Sequence, residues 1–510
     1  MKFSFGKKQK NENNQTETTQ HVLLCMFAEV LQKDIGEISP DADFFNELGG
    51  DSLSSLQVIT KAEEHFGVTI PDEAYLNCRT ANEFADVIDK LLSGEYTAQS
   101  TSEQDVIVPI TRFEDTPEYK AFTERMQEAV GHNPYFAVHD SPLRDVSIMD
   151  GREVLNFSSY NYVGMSGRRE TVEAAKSAAE HYGTSASGSR LLGGEKPVHR
   201  ELEEAIAKWK HTEDAVVMVG GHSTNVTVVG NFCGKHDLIV YDILAHNSIS
   251  EGCRLSDADS RPFPHNDYNA LETILKNSRG HYAKVLIVIE GVYSMDGDIA
   301  PVPEFVRIKK QYGCFLMVDE AHSACVLGKH GGGVDEYFGL DPYDIDIKMG
   351  TLSKGIGTCG GYIAGKKCMI EYMRYNIPGF VFSVGMSPVL AAAAKCAIEL
   401  LQNDETIMAD LHRNIRVFID EAHKRHFNTC LASESAIVPI MVGNDEDAYI
   451  LSTKLCQKGV FVPPAVYPAV PKGKSRLRFC VISEHKPEQI IRALDALVEC
   501  CNEMGIKLPE

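Results

Sequence analysis

The sequence has 510 residues, of which 43% are hydrophobic and 24% charged, enough to bury a large core and to form two or more domains. Its formal net charge of -22 argues against a nucleic-acid backbone or an anionic membrane surface as a partner. Fourteen cysteines without a repeated spacing predict reduced thiols in a cytoplasmic protein rather than a disulfide framework. No metal-ligand spacing occurs and the longest apolar runs have the length of strands, so we expect neither a metal site nor a transmembrane segment.

The amino-terminal part is predicted to be a disordered tail followed by a small acidic helical domain. Residues 1–20 carry lysines with no apolar run after them, which indicates a tail rather than a targeting peptide. From residue 21 to 94, apolar side chains recur at helical spacing in three successive runs. Fifteen acidic and four basic side chains lie between residues 21 and 95, so half of the net charge of the chain falls in this domain.

Between the first two predicted helices lies the motif Gly49-Gly50-Asp51-Ser52. It places a serine hydroxyl at the first turn of a helix, where backbone N–H groups and the helix dipole favour a phosphate. The alternative is that Asp51 or Ser52 is an ordinary N-cap.

The wider pattern Phe-x-x-Leu-Gly-Gly-Asp-Ser-Leu-x-x-Leu, from Phe45 to Leu56, resembles that of the acyl carrier proteins. The resemblance covers residues 21–94 and implies an all-α four-helix carrier domain with 4'-phosphopantetheine attached to Ser52. It also implies that the acidic second helix docks partner enzymes, namely a phosphopantetheinyl transferase and the enzymes that load the acyl group.

Residues 95–109 are polar and rich in helix breakers, which predicts a linker. In the remaining segment, 110–510, helix-length segments separate short apolar runs that predict strands at 216–219, 238–241, 285–289 and 315–318. This pattern is typical of a parallel sheet covered by helices. From about Pro439 the strand-like pieces become shorter. We therefore expect a large part up to about residue 395 and a smaller α+β lobe at about 396–510.

Two residues of this segment suggest carbonyl chemistry. Lys354 stands among small residues and glycines, where its amine can reach a carbonyl carbon as a Schiff base requires; the alternative is a solvated loop lysine. Upstream, an apolar run ends in Asp319, which predicts a buried strand delivering a carboxylate to the edge where ligands of α/β sheets bind. A buried carboxylate needs a cationic partner, and a protonated pyridine nitrogen is one.

Motifs spread over about four hundred residues resemble, in collinear order, those of the α-oxoamine synthases. These fold-type I pyridoxal-phosphate enzymes include serine palmitoyltransferase, 8-amino-7-oxononanoate synthase and 2-amino-3-ketobutyrate CoA ligase. The resemblance implies an α/β PLP-dependent transferase fold and a homodimer with both active sites at the interface. The motifs are 182–194, His199 with 202–203, 221–225, Asp242 with 246–248, 290–298, 319–322, 351–361 and 475–479.

The resemblance assigns cofactor roles to four side chains. Lys354 would hold pyridoxal 5'-phosphate covalently and later move the Cα proton of the substrate. Asp319 would pair with the pyridinium nitrogen, His322 would hydrogen-bond the ring hydroxyl and His246 would stack on the ring. Two alternatives are a core position for His246 and a helicase-type Asp-Glu-Ala-His motif, for which the accompanying phosphate-binding loop is missing.

The cofactor phosphate has four predicted contacts under the same resemblance. The backbone N–H groups of Gly221 and His222, at a strand-to-helix turn, and the hydroxyl of Thr351 would donate to it. Ser383 would reach the phosphate of the second subunit, although Val384 and Gly385 beside it lack the hydroxyls common in the family.

Three residues are predicted to contact the substrate. Arg478 would clamp the amino-acid carboxylate with a planar bidentate donor, and Ser294 would assist at the same carboxylate. Tyr160 stands where two branches of the family have an asparagine, and its surroundings resemble those of the serine palmitoyltransferase branch.

These assignments predict a decarboxylating Claisen condensation of an α-amino acid with an acyl thioester, giving an α-aminoketone and CO2. Because the chain has a carrier domain, we expect the acyl group to be carried on Ser52, with serine as the first choice of amino acid, then glycine or alanine. The alternatives are an aminotransferase of the same fold, a catalytically silent partner subunit, and a carrier with a scaffolding domain.

Overall fold

The structure is a computed structural model that describes residues 18–31, 33–45, 47–50, 52–71, 78–96, 110–128 and 134–509. The chain divides into two compact units, Met1–Thr116 and Pro117–Glu510. Most of the predicted tail and linker falls outside the described residues. Within the described ranges, no helix combines the length and the apolar character needed to cross a bilayer.

The smaller unit is helical. Its described helices are α1 (Thr19–Leu31), a 3-10 turn (Ile35–Glu37), α2 (Ser52–Phe66) and α3 (Ala81–Ser93). Helix α1 begins inside the segment predicted as tail. Helix α3 starts with a capping box, in which Thr80 accepts from the backbone of Glu83 and the Glu83 side chain accepts from the backbone of Thr80. Residues 72–77 are outside the described part of the chain, so the predicted total of four helices stays a prediction.

The core of the smaller unit explains the two glycines before Ser52. The buried ring of Phe44 packs edge to face on Phe27, with centroids 4.8 Å apart. A Cβ on Gly50 would lie 2.2 Å from that Phe44 ring, so only glycine fits there. Gly49 has φ +78°, which also favours glycine. The turn therefore delivers the chain into α2, which begins at Ser52 as predicted; the Ser52 side chain lies outside the described part.

The larger unit alternates strands and helices, as the sequence predicts. Its strands are β1 (Val146–Met149), β2 (Arg152–Asn156), β3 (Asp214–Met218), β4 (Leu238–Asp242), β5 (Asp259–Phe263), β6 (Val285–Glu290), β7 (Phe315–Asp319), β8 (Ile347–Thr351), β9 (Gly361–Gly365), β10 (Ile437–Gly443), β11 (Val460–Phe461), β12 (Pro464–Ala465) and β13 (Ser475–Cys480). Its helices are α4 (Pro117–Glu128), α5 (Arg169–Tyr182), α6 (Pro197–Trp209), α7 (Gly221–Phe232), α8 (Asn247–Leu255), α9 (Tyr268–Ser278), α10 (Val302–Tyr312), α11 (Val334–Phe338), α12 (Lys367–Asn376), α13 (Pro378–Val381), α14 (Pro388–Asn403), α15 (Glu405–Lys424), α16 (Asp445–Gln457) and α17 (Pro487–Met504).

The main sheet has seven strands in the order β3-β9-β8-β7-β6-β4-β5. Strand β9 runs antiparallel to both of its neighbours, β3 and β8, while the other pairs are parallel. The predicted parallel sheet therefore contains one antiparallel strand, because the glycine-rich turn after β8 is too short for a crossover helix and returns the chain beside β8.

Both faces of this sheet are buried. Along β6, Val285, Ile287 and Ile289 belong to one buried apolar cluster. Leu286 and Val288 belong to another. Since successive strand residues point to opposite faces, the sheet separates two cores. Its strand ends are the places where polar side chains can reach a ligand.

Two small sheets complete the larger unit. One is the antiparallel β10-β13-β12, and the other is β1-β2-β11, in which β2 pairs in parallel with β11. One carboxy-terminal strand, β11, therefore pairs with a strand from the beginning of the unit. Strand β13 carries Arg478.

Candidate active site

A cavity of about 460 Å³ lies where β7 and β8 end and α7 begins. Five of the predicted cofactor residues line it together with Lys354. They are Gly221, His222, His246, Asp319 and His322. Thr351, the last residue of β8, also lines the cavity. The carboxyl ends of parallel strands meet at this edge, which is why residues far apart in sequence converge.

Lys354 lies at one end of a short hydrogen-bonded chain that is centred on His322. Its Nζ is 2.8 Å from Nε2 of His322, and Nδ1 of His322 is 2.7 Å from the buried hydroxyl of Tyr162. Burial lowers the pKa of Lys354 to about 8, against the opposing charge of Asp319. Burial and the charge of Lys354 lower the pKa of His322 well below its usual value. The amine therefore loses its proton more readily than an ordinary lysine.

Asp319 is held by groups to which the sequence analysis gave no role. Its Oδ2 accepts a 2.6 Å hydrogen bond from Nδ2 of Asn225, and its Oδ1 accepts one of 2.9 Å from the backbone of Ala321. Asn225 also donates to Ser248 at 3.0 Å, and the Ser248 hydroxyl lies 2.7 Å from Nδ1 of His246. Asn225 and Ser248 belong to the motifs that carry the family resemblance, which is the signal that could have identified them.

Glu290 is a second buried carboxyl group of the cavity. Burial and the negative charge of Asp319 raise the pKa of Glu290 well above its usual value. It accepts a 2.5 Å hydrogen bond from the backbone N–H of His246. Because Glu290 is kept neutral, Asp319 is the carboxylate available to a cationic ligand.

The beginning of α7 is open to an anion. Gly220 is its N-cap residue, and no side-chain hydrogen bond caps the helix. A Cβ on Gly221 would lie 2.7 Å from Oγ1 of Thr351, so this glycine brings backbone and β8 close together. The Thr351 hydroxyl donates to the carbonyl of Gly360 at 3.1 Å. Free N–H groups in the first helical turn suit a phosphate.

Arg478 is buried beside the aromatic residues of this site. Its guanidinium lies 5.0 Å from the ring centroid of Tyr160, and its Nε donates to the carbonyl of Ser294 at 2.6 Å. Nη1 donates to Sγ of Cys480 at 3.0 Å, while Nη2 is buried without a hydrogen-bond partner. An unpaired buried guanidinium nitrogen is expensive unless a ligand accepts from it, which suits a carboxylate.

Within the larger unit, the predicted residues Tyr160, Ser294, Ser383 and Arg478 do not line this cavity. Ser383 donates to the carbonyl of Val384 at 3.3 Å, between the exposed side chains of Phe382 and Val384. Its predicted contact concerns a second subunit and stays a prediction. Ser52 begins α2 in the smaller unit.

The cavity has the features that a phosphorylated pyridine aldehyde requires. Lys354 supplies an amine of lowered pKa, Asp319 supplies a buried carboxylate, and the start of α7 supplies unsatisfied N–H groups for a phosphate. The buried Oδ1 of Asn225 has no hydrogen-bond partner in the structure, so the wall retains an acceptor for a ligand.

Two protein-family models match the chain. The model described as phosphopantetheine attachment site matches residues 21–88. The model described as aminotransferase class I and II matches residues 152–497. Together they span both units.

Curated relatives and solved structures agree on the larger unit. The 8-amino-7-oxononanoate synthase of Symbiobacterium thermophilum is 39% identical over 366 residues, covering 72% of this chain and 93% of the relative. The 8-amino-7-oxononanoate synthase 1 of Bacillus velezensis is 41% identical over 356 residues, covering 70% and 90%. The solved serine palmitoyltransferase of Sphingomonas wittichii matches with a TM-score of 0.73 and 32% identity, covering 76% of this chain and 98% of that structure. A variant serine palmitoyltransferase of S. paucimobilis with a bound PLP–myriocin aldimine matches with a TM-score of 0.72 and 30% identity, covering 76% and 98%.

Proposed function

Because this chain belongs to the α-oxoamine synthases and also carries a phosphopantetheine attachment site, we propose that it condenses a small α-amino acid with an acyl group carried on Ser52. Enzymes of this family are PLP-dependent acyltransferases, and the attachment site takes 4'-phosphopantetheine. The observation that carries the proposal is the joint occurrence, in one chain, of the Lys354–Asp319 cavity and the Gly-Gly-Asp-Ser motif.

Pyridoxal 5'-phosphate, when bound, supplies an electron sink that makes the Cα–H bond of an attached amino acid acidic. Lys354 and Asp319 would hold it, with the start of α7 at the phosphate. Arg478 would orient the substrate by binding its carboxylate through Nη2. Lys354, whose pKa is lowered to about 8, would then remove the Cα proton.

The bond changes follow from the substrates. The Cα electron pair forms a bond to the thioester carbonyl carbon, the C–S bond breaks, and the thiol leaves on the carrier arm. The substrate carboxylate then leaves as CO2, and a proton returned by Lys354 takes its place at Cα. The products are an α-aminoketone, CO2 and the free thiol of the arm.

The choice of amino acid rests on Tyr160. Its ring lies 5.9 Å from Nζ of Lys354 and 5.0 Å from the guanidinium of Arg478, so it stands beside both groups that the substrate would contact. A bulky ring in this position supports a small amino acid, and we rank serine first, then glycine or alanine. The solved serine palmitoyltransferases support serine, whereas the curated relatives cited above are 8-amino-7-oxononanoate synthases.

The test loads Ser52 with a series of acyl-pantetheines, supplies each of the three amino acids, and identifies products by mass. The matched control is Ser52→Ala supplied with the same acyl groups on free coenzyme A. Ketone and CO2 formed from the loaded wild type, with at least a tenfold lower rate for the control, would support the carrier as donor. Equal rates for the loaded wild type and for Ser52→Ala would overturn the carrier as the acyl donor. Transfer of the amino group without release of CO2 would overturn the synthase reaction.

The oligomeric state is part of the proposal. Leu192, Phe382 and Val384 are exposed apolar side chains. Their segments are joined, since Ser189 donates to the carbonyl of Val381 at 2.7 Å and the backbone of Gly385 donates to Gly188 at 2.9 Å. We expect a second copy of the chain to cover this patch, giving a homodimer. Phe382→Asp should yield monomers in light scattering and lower activity; full activity of a wild-type monomer would refute the dimer.

A further inference from the structure

The turn Tyr293–Asp298 holds the two arginines of β13. The carbonyl of Ser294 accepts from Nε of Arg478 at 2.6 Å. Oδ1 of Asp296 accepts from Nη1 of Arg476 at 2.6 Å. Arg478 is therefore oriented by a turn of the backbone, and its aim depends on where that turn lies.

The turn is fixed at its end by a histidine that bridges two carboxylates. Nε2 of His265 is 2.9 Å from Oδ2 of Asp298, and Nδ1 is 3.0 Å from Oδ1 of Asp242, the last residue of β4. A carboxylate only accepts, so both ring nitrogens must carry a proton. Although burial opposes the charge, hydrogen bonds to Asp242 and Asp298 raise the pKa of His265 to about 10. The residue is an imidazolium under ordinary conditions.

Further contacts of Asp298 and Gly297 fix the position of the turn. The backbone N–H of Tyr293 donates to the carbonyl of Asp298 at 3.0 Å, which closes the turn. Nδ2 of Asn266 donates to Oδ2 of Asp298 at 2.7 Å. A Cβ on Gly297 would lie 2.1 Å from the carbonyl oxygen of Ile437, so the turn also lies directly on β10. Little room is left for the turn to adjust if the bridge is lost.

We propose that His265 is a positioning residue for amino-acid binding: its imidazolium ties the end of β4 to Asp298 and thereby fixes the turn whose Ser294 carbonyl orients Arg478. This inference rests on the proposed function in one respect, that the substrate carboxylate binds Arg478. His265 itself does not bond to Arg478; it acts through the turn.

The test compares His265→Gln, the double variant His265→Gln with Asp298→Asn, and the control His330→Gln. The glutamine NH2 group can replace one ring nitrogen, but the other end of the amide is an oxygen, which only accepts. The single variant therefore leaves one carboxylate without a donor and the pair Asp242 and Asp298 without a cation. In the double variant the amide introduced at position 298 can donate to the oxygen of the glutamine introduced at position 265, which restores a neutral bridge. His330 also pairs with a carboxylate, Glu336 at 2.7 Å, but has no bond to the turn.

The measurement is the Kd of L-serine, glycine and L-alanine, each titrated against the absorbance of the cofactor in the holoenzyme, together with the KM for free acyl-coenzyme A as the acyl donor. We expect His265→Gln to weaken amino-acid binding about tenfold, with the KM of the acyl donor changed less than about twofold. The double variant should return to within about threefold of wild type, and His330→Gln should bind normally.

An unchanged amino-acid Kd in His265→Gln, an equal loss for both substrates, or an equal loss in His330→Gln would overturn the proposal. If the single variant does not fold, the double variant decides the test. Wild-type amino-acid affinity in the folded double variant would support the proposal, and a tenfold loss of that affinity would reject it. The titration requires no acyl donor, so failure of the carrier-donor proposal leaves this test intact.

Discussion

The amine of Lys354 lies 2.8 Å from Nε2 of His322, so two basic groups share one corner of the cavity. The charge of Lys354 adds to burial in lowering the pKa of His322, which keeps the imidazole neutral. The hydroxyl of Tyr162 holds the other ring nitrogen and fixes the ring in place. The histidine therefore supports the lysine by geometry rather than by charge.

The lowered pKa of Lys354 predicts how the stability of the cofactor-free protein depends on pH. Burial lowers this pKa from 10.5 to about 8, so between these values the unfolded chain binds more protons than the folded one. The contribution of Lys354 to the unfolding free energy should therefore rise with pH across this window. In urea titrations from pH 7 to 11, cofactor-free Lys354→Met should be more stable than wild type at pH 7, and the gap should narrow as the pH rises. A gap independent of pH would contradict the prediction.

Removing the charge of Asp319 should suppress proton removal from the substrate. We expect Asp319→Asn to slow exchange of the Cα hydrogen of glycine with D2O by at least about a hundredfold, since an amide cannot stabilise a cationic ring nitrogen. Asn225→Ala should slow it about tenfold, because it loses the 2.6 Å hydrogen bond that aims the carboxylate. Asn231→Ala on the same helix, where Nδ2 bonds only the Thr227 carbonyl, is the control and should exchange at the wild-type rate.

The parts of the fold that the sequence predicts are those set by local pattern. Strands β4, β6 and β7 are continuous apolar runs, and each lies within a residue or two of its predicted position. Strand β8 is not among the predicted strands, because it contains Lys348, whose buried amine pairs with Asp335 at 2.7 Å. The direction of β9 likewise depends on tertiary pairing and is not encoded in its own residues.

The same division holds for the site. Lys354 could be predicted as a site residue from the small residues and glycines around it, and Asp319 from its position at the end of an apolar run. Their pairings with other side chains could not be predicted, because Asn225 lies 94 residues from Asp319 and Tyr162 lies 160 residues from His322. Such pairs follow from which strand and helix ends the sheet brings together.

Arg478 should control affinity for the amino acid more than the rate of chemistry. Its buried Nη2 has no partner in the structure, and lysine cannot reproduce the planar donor. We expect Arg478→Lys to raise the KM for the amino acid about thirtyfold while kcat falls less than about fivefold. Arg476→Lys is the matched control; its parent arginine already pairs with Asp296 at 2.6 Å, so the KM should change less than threefold. Equal effects of both variants would argue against a carboxylate at Arg478.

Behind the cavity, four buried charges balance one another and support the strands that carry the site. Lys348 pairs with Asp335 at 2.7 Å, and Lys210 pairs with Glu320, the residue after Asp319. Removing one member leaves an uncompensated buried charge, so Lys348→Met should lower the unfolding free energy by about 3–5 kcal/mol in urea titration. Adding Asp335→Leu to Lys348→Met should recover part of that loss, because it removes the orphaned carboxylate.

The exposed pair of Lys424 with Glu421 at 2.6 Å is the reference, and Lys424→Met should cost less than about 1 kcal/mol. If Lys348→Met lowered the unfolding free energy no more than Lys424→Met does, the buried charges would not stabilise the sheet.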